Sequence, residues 1–458
     1  GKSISIDQRV AMKIADVYTG QAGRTKRPQS QPVNAHLYAQ FPRHHVPRLP
    51  GQPRLHHRKG GRDEYAEYKR ERHQDRPPCE AQRAPDTPAY GSPGQWLAKF
   101  ASTGQEPRLC VPCCRGRAKL SRPIVPMTGP IIILGIESSC DETAAAVLVD
   151  GSLRSNVIAG QQVHRQWGGV VPELASRAHQ ENIVPVVHRA LTEAGIDRSR
   201  LSAVAFTQGP GLIGALLVGA SFARSLAHGL RIPLLAVDHL NAHVLAHFIQ
   251  DGSGRPSPPF PFLNLTVSGG HTLLVLVRSP MDLQMIGATR DDAAGEAFDK
   301  GAKILGLPYP GGPLVDQHAR RGDPLRFQLP FPVVPGLDMS FSGIKTAFLH
   351  LVRHREQEEQ GSTQRDLDHL CAVLERCIID LLLDKLRQAA LQVGVQHVAL
   401  SGGVSANSSL RTRTVALAER EGWTAHLLPP VYCTDNAAMI AMAGHYSLLA
   451  GRHAPLDV

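Results

Sequence analysis

Ordered hydrophobic runs begin in this chain only near residue 131. Residues 131–135 form a continuous apolar run of strand length, and 144–149 form a second, with Gly151 marking the turn beyond it. Continuous apolar runs of this length suit strands buried on both faces. Over 172–195 the period changes. Leu174, Ile183, Val187 and Leu191 recur at helical spacing, which predicts a helix. A strand at 203–207 follows, then the glycine-rich turn Gly209-Pro-Gly-Leu-Ile-Gly214, a helix over 215–229 and a strand at 234–237. Beyond the Pro/Gly/Ser-rich stretch 251–261, strands are predicted at 262–268 and 272–277 around the Gly269-Gly270 turn. A helix-rich stretch including 367–391 comes next. It leads to a strand at 397–400, a helix from Asn407 and a last helix from Asp435. Alternating strands and helices predict an α/β architecture. A strand, a polar turn and a return strand occur twice, near Ile133 and near Leu265. That repetition suggests a duplicated fold with a nucleotide cleft between the halves.

Residues 1–126 show neither period. Pro, His, Arg and Gln recur, as in Phe41-Pro-Arg-His-His-Val-Pro-Arg48. Such a segment cannot bury enough apolar surface to offset its chain entropy. Charge divides the chain at the same place. The formal net charge is +10, yet residues 1–126 hold 23 of the 50 Lys and Arg and only 10 of the 40 Asp and Glu. The remainder is slightly acidic, so nucleic-acid binding by the folded part must rest on local patches or on a partner. Asp63, Glu64, Glu67, Glu71 and Asp75 count against an organellar transit segment, which is poor in acidic residues. The expectation is that 1–126 is a low-complexity basic leader, either disordered or a mis-assigned start, and that the protein proper opens at Met127. The length of 458 residues predicts two or three units. Among eight cysteines only Cys110 and Cys113 have metal-type spacing, and no second pair accompanies them. The pattern suits a reducing cytoplasm. No run of about 18 apolar residues stands out, so no membrane partner is expected.

Several segments carry chemistry. Gly135-Ile-Glu-Ser-Ser-Cys-Asp-Glu-Thr143 ends a strand in a turn of small hydroxylic residues beside Asp141 and Glu142. N–H groups in such a turn hold phosphate, and the carboxylates can orient water, a metal or an amine proton. Alone, the motif fits a polar hairpin equally well. His239-Leu-Asn-Ala-His243 puts two imidazoles on one helix face, where both can grip one metal. An isolated HxxxH is more often a surface accident, and a third ligand is needed; Asp435, after a loop, is the candidate. Leu240 stands where a peptidase of the HExxH type needs its Glu base. Glycine turns at Ser268-Gly-Gly-His271, Pro310-Gly-Gly-Pro313 and Ser401-Gly-Gly-Val404 let backbone approach a ligand closely. Three of them, with Asn407 just after the last, point to a nucleotide. Within Asp291-Asp-Ala-Ala-Gly-Glu-Ala-Phe-Asp-Lys300, Glu296 and Lys300 form an i,i+4 pair, an ordinary solvated face. Asp299 lies on another side, able to reach a ribose or an amine. Lys345, beside the small turn at 340–343, means little by itself.

Taken in order, these segments, together with Tyr309-Pro-Gly-Gly-Pro313, Phe341-Ser-Gly-Ile-Lys-Thr346 and Thr434-Asp-Asn-Ala-Ala-Met439, resemble the TsaD family of tRNA N6-adenosine threonylcarbamoyltransferases. The resemblance spans 127–458, is closest to the bacterial form, and shows no departure at the motif positions. It implies a two-lobed α/β fold of the actin/Hsp70/sugar-kinase kind with duplicated RNase H-like subdomains. The first lobe would be 127–237 and the second 238–458, with the C-terminal helix returning to the first. The implied reaction moves the threonylcarbamoyl group from threonylcarbamoyl-AMP to N6 of the adenosine beside the anticodon, in tRNAs reading ANN codons. By position, His239, His243 and Asp435 would hold one divalent metal, iron or zinc. Val267, Ser268, Gly269, Gly270, His271, Asp299, Gly312, Asp316 and Asn407 would line the adenylate site, where an ATP- or ADP-type nucleotide can also bind. Asp141 and Glu142 would sit at the reacting centre. Implied partners are tRNA, a TsaB-like paralogue as heterodimer, a TsaE-like ATPase and a separate synthase that makes the donor, all in the cytoplasm. Three rivals remain at this point. A small-molecule kinase of the same fold needs neither His239 nor His243, a metallopeptidase is disfavoured by Leu240, and a non-catalytic nucleotide-binding subunit would have no need of the intact ligand set.

Overall fold

The two predicted hairpins seed two sheets. In the computed structural model, which describes residues 129–455, β1 (Ile132–Glu137) pairs antiparallel with β2 (Thr143–Val149), and β2 with β3 (Ser152–Ala159). On the other side of β1, β4 (Ala203–Gly209) and β5 (Leu234–Asp238) add in parallel, giving the order β3-β2-β1-β4-β5. The second sheet repeats this arrangement. Here β6 (Phe262–Val267), β7 (Thr272–Ser279) and β8 (Asp282–Ala288) are antiparallel, while β9 (His397–Ser401) and β10 (Thr424–Leu427) add in parallel beyond β6. The repeated order is that of duplicated RNase H-like subdomains, the actin/Hsp70/sugar-kinase-like fold. The central strands β1 and β6 are buried along their whole length, which is why they read as continuous apolar runs. The expectations for residues 1–126 and for Cys110 and Cys113 lie outside the described residues.

Alternation along the strands sends side chains to two faces. On the outer face of the first sheet, Leu134, Ile136, Val204 and Phe206 share a core with Ile183, Val187 and Leu191 of α1 (Pro172–Ala194) and with Ala223 of α2 (Ile213–Leu230). After β5, α3 (His239–Leu245) enters the space between the sheets. The outer face of the second sheet is covered by α4 (Ala294–Ile304), α5 (Gly312–Ala319), α6 (Ser342–Glu358), α7 (Leu367–Val393) and α8 (Ser408–Glu421). The last helix, α9 (Ala437–Leu449), returns to lie beside α3. Both share a core with Ile133, Ala205 and Leu235 of the first sheet and with Phe262, Val275 and Ala399 of the second. The first eight residues of α9 are all buried, as a helix enclosed on every side requires. Its approach is close. A Cβ on Gly135 would lie 2.5 Å from the Ala437 carbonyl oxygen, and one on Gly444 would lie 2.5 Å from Ala205 Cβ.

Three expectations shift. β1 runs on to Glu137, so a carboxylate belongs to the buried strand. The last helix starts at Ala437 rather than Asp435, because Asn436 is the cap: its Oδ1 accepts from the Met439 N–H at 3.1 Å, leaving Asp435 in the loop. Finally, α2 is long and apolar enough, by length and composition, to cross a membrane. Burial in the first lobe does not account for that composition, because only 22% of this stretch is buried and Ile213 and Leu217 are exposed. Ala215, Gly219, Ala223 and Ala227 form its buried row, and the helix links β4 to β5.

Candidate active site

The end of β5 builds the first half of the site. The Asp238 carboxylate accepts from the Asn241 N–H at 2.8 Å and so caps α3 at its first turn. The helix then sets His239 and His243 one turn apart, with ring centroids 4.7 Å from each other and planes at 86°. Asp435 arrives from 192 residues later in the chain, held by the loop before α9. His243 Nε2 lies 3.1 Å from Asp435 Oδ1, and His239 Nε2 lies 3.5 Å from the same oxygen. The ligand atoms of all three residues fall within 4.8 Å of one another. Two imidazole nitrogens and a carboxylate suit zinc or iron. Neighbouring donors around an ion bound at roughly 2.1 Å lie about 3.4 Å apart in a tetrahedron, so the observed spacing fits a shared ion.

Glu137 was not marked as a site residue by its motif, yet it organises this corner. It is fully buried. Its Oε1 accepts from the Ser139 N–H; its Oε2 accepts from the Thr207 hydroxyl at 2.7 Å and lies 3.1 Å from His239 Nδ1. Burial opposes a charge on His239, but the Glu137 and Asp435 carboxylates outweigh it and push the imidazole up to about 11. In return, His239 holds the carboxyls of Glu137 and Asp435 below the ordinary range although burial works the other way. The signal available in the sequence was a carboxylate inside an otherwise apolar strand, since Glu is almost never fully buried unless paired.

Asp141, Glu142, Gly269, Asp299, Gly312, Asp316 and Asn407 all line one cleft of about 640 Å³, with Phe298, Tyr309 and Val404 among its apolar walls. Glu142 is pushed up to about 9, first by burial and then by the charges of Asp435 and Asp141. Gln161 and His164 also line this cleft, with Gln161 Oε1 2.7 Å from His164 Nε2. Nothing in the local sequence distinguished them.

The remaining site residues serve in different ways. Val267 is a core residue, so only its main chain is available to a ligand. Gly402, at φ +85°, lets the 401–404 turn lie against that main chain, where a Cβ would come within 2.4 Å of the Val267 carbonyl oxygen. Several glycines therefore pack loop against loop, while Gly269, Gly312 and Gly403 face the cleft. Ser268 closes its turn, donating from its N–H to the His271 carbonyl at 2.8 Å and accepting from the His271 N–H at 3.1 Å. Gly270 is exposed at the tip. His271 lies beside the histidine pair; burial, then the charges of His239 and His243, hold its imidazole below the usual value. Asp299 Oδ1 accepts from the N–H groups of Gly311 (2.8 Å) and Gly312 (3.1 Å), which fixes the carboxylate at the cleft wall. Burial raises its carboxyl above the ordinary range. Asp316 pairs with Arg320 at 2.7 Å and accepts from the Ser408 hydroxyl, and Asn407 caps α8 by accepting from the Leu410 N–H at 2.8 Å. Lys345 and Lys300 meet at Asp292, fastening α6 to α4.

Fold and site together define a two-lobed protein of the actin/Hsp70/sugar-kinase class with a His/His/Asp candidate metal site beside its cleft. The sequence profile of the TsaD family, described as tRNA N6-adenosine threonylcarbamoyltransferase, matches residues 152–442. Proteins bearing that same name are similar over nearly their whole length. The one from Christiangramia forsetii is 53% identical over 328 residues, covering 72% of this chain and 96% of that protein. The one from Porphyromonas gingivalis is 54% identical over 332 residues, covering 72% and 97%. The chain belongs to the TsaD family. Among solved structures, T. kodakarensis HypF is 14% identical with a TM-score of 0.48, covering 72% of this chain and 50% of that one. At that distance the sheet order, not the superposition, carries the fold assignment.

Proposed function

We infer that the chain is a tRNA N6-adenosine threonylcarbamoyltransferase. It takes the threonylcarbamoyl group from threonylcarbamoyl-AMP and places it on N6 of the adenosine beside the anticodon, in tRNAs reading ANN codons. The observation that carries this reading is the convergence of His239, His243 and Asp435 beside the cleft that Asp141 and Glu142 line. A same-fold kinase needs neither histidine and is not favoured.

In this reading His239, His243 and Asp435 hold one divalent metal, iron or zinc, which when bound polarises the oxygens of the donor. Gly269, Gly312 and Gly403 bring main chain to the adenylate, and Asp299 Oδ2 is placed for a ribose hydroxyl. The adenine N6 is a weak nucleophile because its lone pair is delocalised into the ring. Holding it in line therefore matters, and such positioning is worth up to roughly 7–11 kcal/mol in the best cases. The N6–carbon bond forms, the bond from that carbon to the phosphate oxygen breaks, AMP leaves, and the amine proton passes to Glu142. Glu142 must be ionised to accept it. The Asp435 charge is one of the causes that keep it protonated, and a cation at Asp435 offsets that cause.

The slightly acidic balance of 127–458 supports a tRNA surface completed by partners. The outward face of α2, where Ile213 and Leu217 are 78% and 61% exposed, supports docking of a TsaB-like paralogue. A TsaE-like ATPase and a donor-making synthase complete the set, and a tRNA substrate points to the cytoplasm. The test is reconstitution of the chain with these partners, threonine, bicarbonate, ATP and unmodified tRNA, followed by mass analysis of the digested tRNA. Threonylcarbamoyl-adenosine that disappears in His243→Ala together with bound metal supports the reading. Product made without metal refutes the metal's role, and phosphoryl transfer to a small molecule with no modified tRNA favours the kinase.

A further inference from the structure

We propose that Glu375 is a positioning residue for the nucleotide end of the cleft, acting through Asn407 and not on the substrate itself. This rests on the reading that the cleft holds an adenylate. Glu375 sits on α7 and is only 6% exposed, in a helix whose other buried positions are almost all apolar. A carboxylate there needs a partner. Its partner is Asn407, whose Nδ2 donates to Glu375 Oε1 at 2.6 Å.

The other end of the same amide is also committed, because Asn407 Oδ1 caps α8 through the Leu410 N–H at 2.8 Å. An amide has one accepting end and one donating end. A cap that demands the oxygen and a carboxylate that demands the nitrogen together fix which way Asn407 points, and a flip would lose both bonds. One Nδ2 hydrogen remains to face a ligand. Gly403, Val404, Ala406 and Asn407 all line the cleft, with Ser405 between them turned inward and buried. The carboxylate on α7 thereby sets the position of that wall from behind.

Glu375 is not sealed off from solvent. On its far side opens a second cavity of about 550 Å³, which also reaches Arg320, Arg413 and Ser408. The two cavities share a wall made of the Asp316–Arg320 pair, Ser408 and the Glu375–Asn407 pair. Burial pushes Glu375 up to about 7. The Asn407 hydrogen bond and the Arg320 and Arg413 charges pull downward, and Asp316 pushes upward; these groups come from the end of α5 and the start of α8, and Arg376 and Asp380 of α7 line the same second cavity. Ionised, Glu375 holds Asn407 by a charge-assisted bond; as pH falls below neutrality it takes up a proton and that hold weakens.

The experiment compares wild type, Glu375→Leu and Glu375→Gln over pH 6 to 8.5, reading KM for the donor, kcat, and AMP affinity by calorimetry. Loss of a charge-assisted hydrogen bond predicts a rise of about tenfold in KM and a parallel loss of AMP affinity for Glu375→Leu, with kcat retained. Glu375→Gln keeps a neutral acceptor of the same shape. It is expected to rise less, and to lack the increase in KM that wild type shows as pH drops below neutrality. Should Glu375→Leu fail to fold, the isosteric Gln variant decides the matter through its pH profile. Folded variants that bind AMP as wild type does, with the wild-type pH profile, overturn the proposal. Wild-type protein that binds no AMP and makes no modified tRNA overturns the reading of the cleft, and the proposal with it.

Discussion

Replacing Glu137 with Gln tests whether this buried carboxylate prepares His239 to bind metal. The variant keeps the shape and removes one acceptor. In the native protein both oxygens are used, one by the Ser139 N–H, the other by the Thr207 hydroxyl and His239 Nδ1. A single amide oxygen cannot serve both sides. If the amide nitrogen turns toward Ser139, a buried donor is left unsatisfied, at a cost of about 1–3 kcal/mol in stability. If it turns toward His239, Nδ1 must become an acceptor. The ring proton then moves to Nε2, the atom 3.5 Å from Asp435, and that nitrogen is lost as a ligand. Removing a carboxylate that orients a ligating histidine typically weakens metal affinity by about 10–100-fold. The assay is equilibrium competition for Zn²⁺ or Fe²⁺ against a chromophoric chelator, with thermal unfolding measured in parallel to separate folding from binding. A folded Glu137→Gln protein with wild-type metal affinity would refute the reasoning.

Other outcomes follow from the same geometry. Gly135→Ala forces a Cβ to within 2.7 Å of the Ala441 main-chain nitrogen; it is expected to cost about 1–3 kcal/mol in denaturant unfolding. Metal affinity should fall as well, because α9 carries the Asp435 loop, and an unchanged unfolding midpoint would contradict the packing described. In the metal-free protein the folded state holds the Glu142 carboxyl near 9 against an ordinary 4.5, so protonation favours folding at low pH and that contribution is lost as pH rises through this window. Glu142→Gln should therefore flatten the decline of Tm between about pH 5 and 9, and a slope equal to wild type would show that Glu142 is not the titrating group. Leu217→Asp on the exposed face of α2 should abolish heterodimer formation with the proposed TsaB-like partner in size-exclusion chromatography while changing stability by less than about 0.5 kcal/mol; an intact heterodimer would place the interface elsewhere.

The sequence disclosed the parts of the fold that are buried on both sides. β1, β2, β6 and β7 read as apolar runs because each lies within a sheet covered on both faces. Of the outer strands, β5 was legible as the run at 234–237, whereas β3, β8 and β10 did not stand out. β8 mixes exposed, half-buried and buried positions without a regular period, and β10 has four residues, so neither presents a continuous run. Within the site, the helical spacing of His239 and His243 is a local property and was legible. Their meeting with Asp435 is a tertiary contact that leaves no local trace; Asp435 stood out only as a candidate after a loop, and the family resemblance made it the third ligand. The turn at 268–271 was visible as a turn, but its sharing of the work was not. Val267 faces the core, Ser268 closes the loop, Gly269 meets the cleft and His271 meets the histidine pair, a division that depends on which loops pack against it. Glu375 had no chance of notice, because its importance lies in a bond to a residue 32 positions away.

The distance in sequence between His243 and Asp435 also has a consequence for how the protein comes to be. During synthesis the two histidines leave the ribosome long before the aspartate does, with the whole second sheet made in between. No nascent or prematurely ended chain lacking Asp435 can assemble the three-ligand set, whatever else of it has folded. In the reading proposed above, an ion held by these three residues would tie together two ends of a long loop whose closure the unfolded chain resists. A bound ion would then report that the chain reaches at least as far as Asp435.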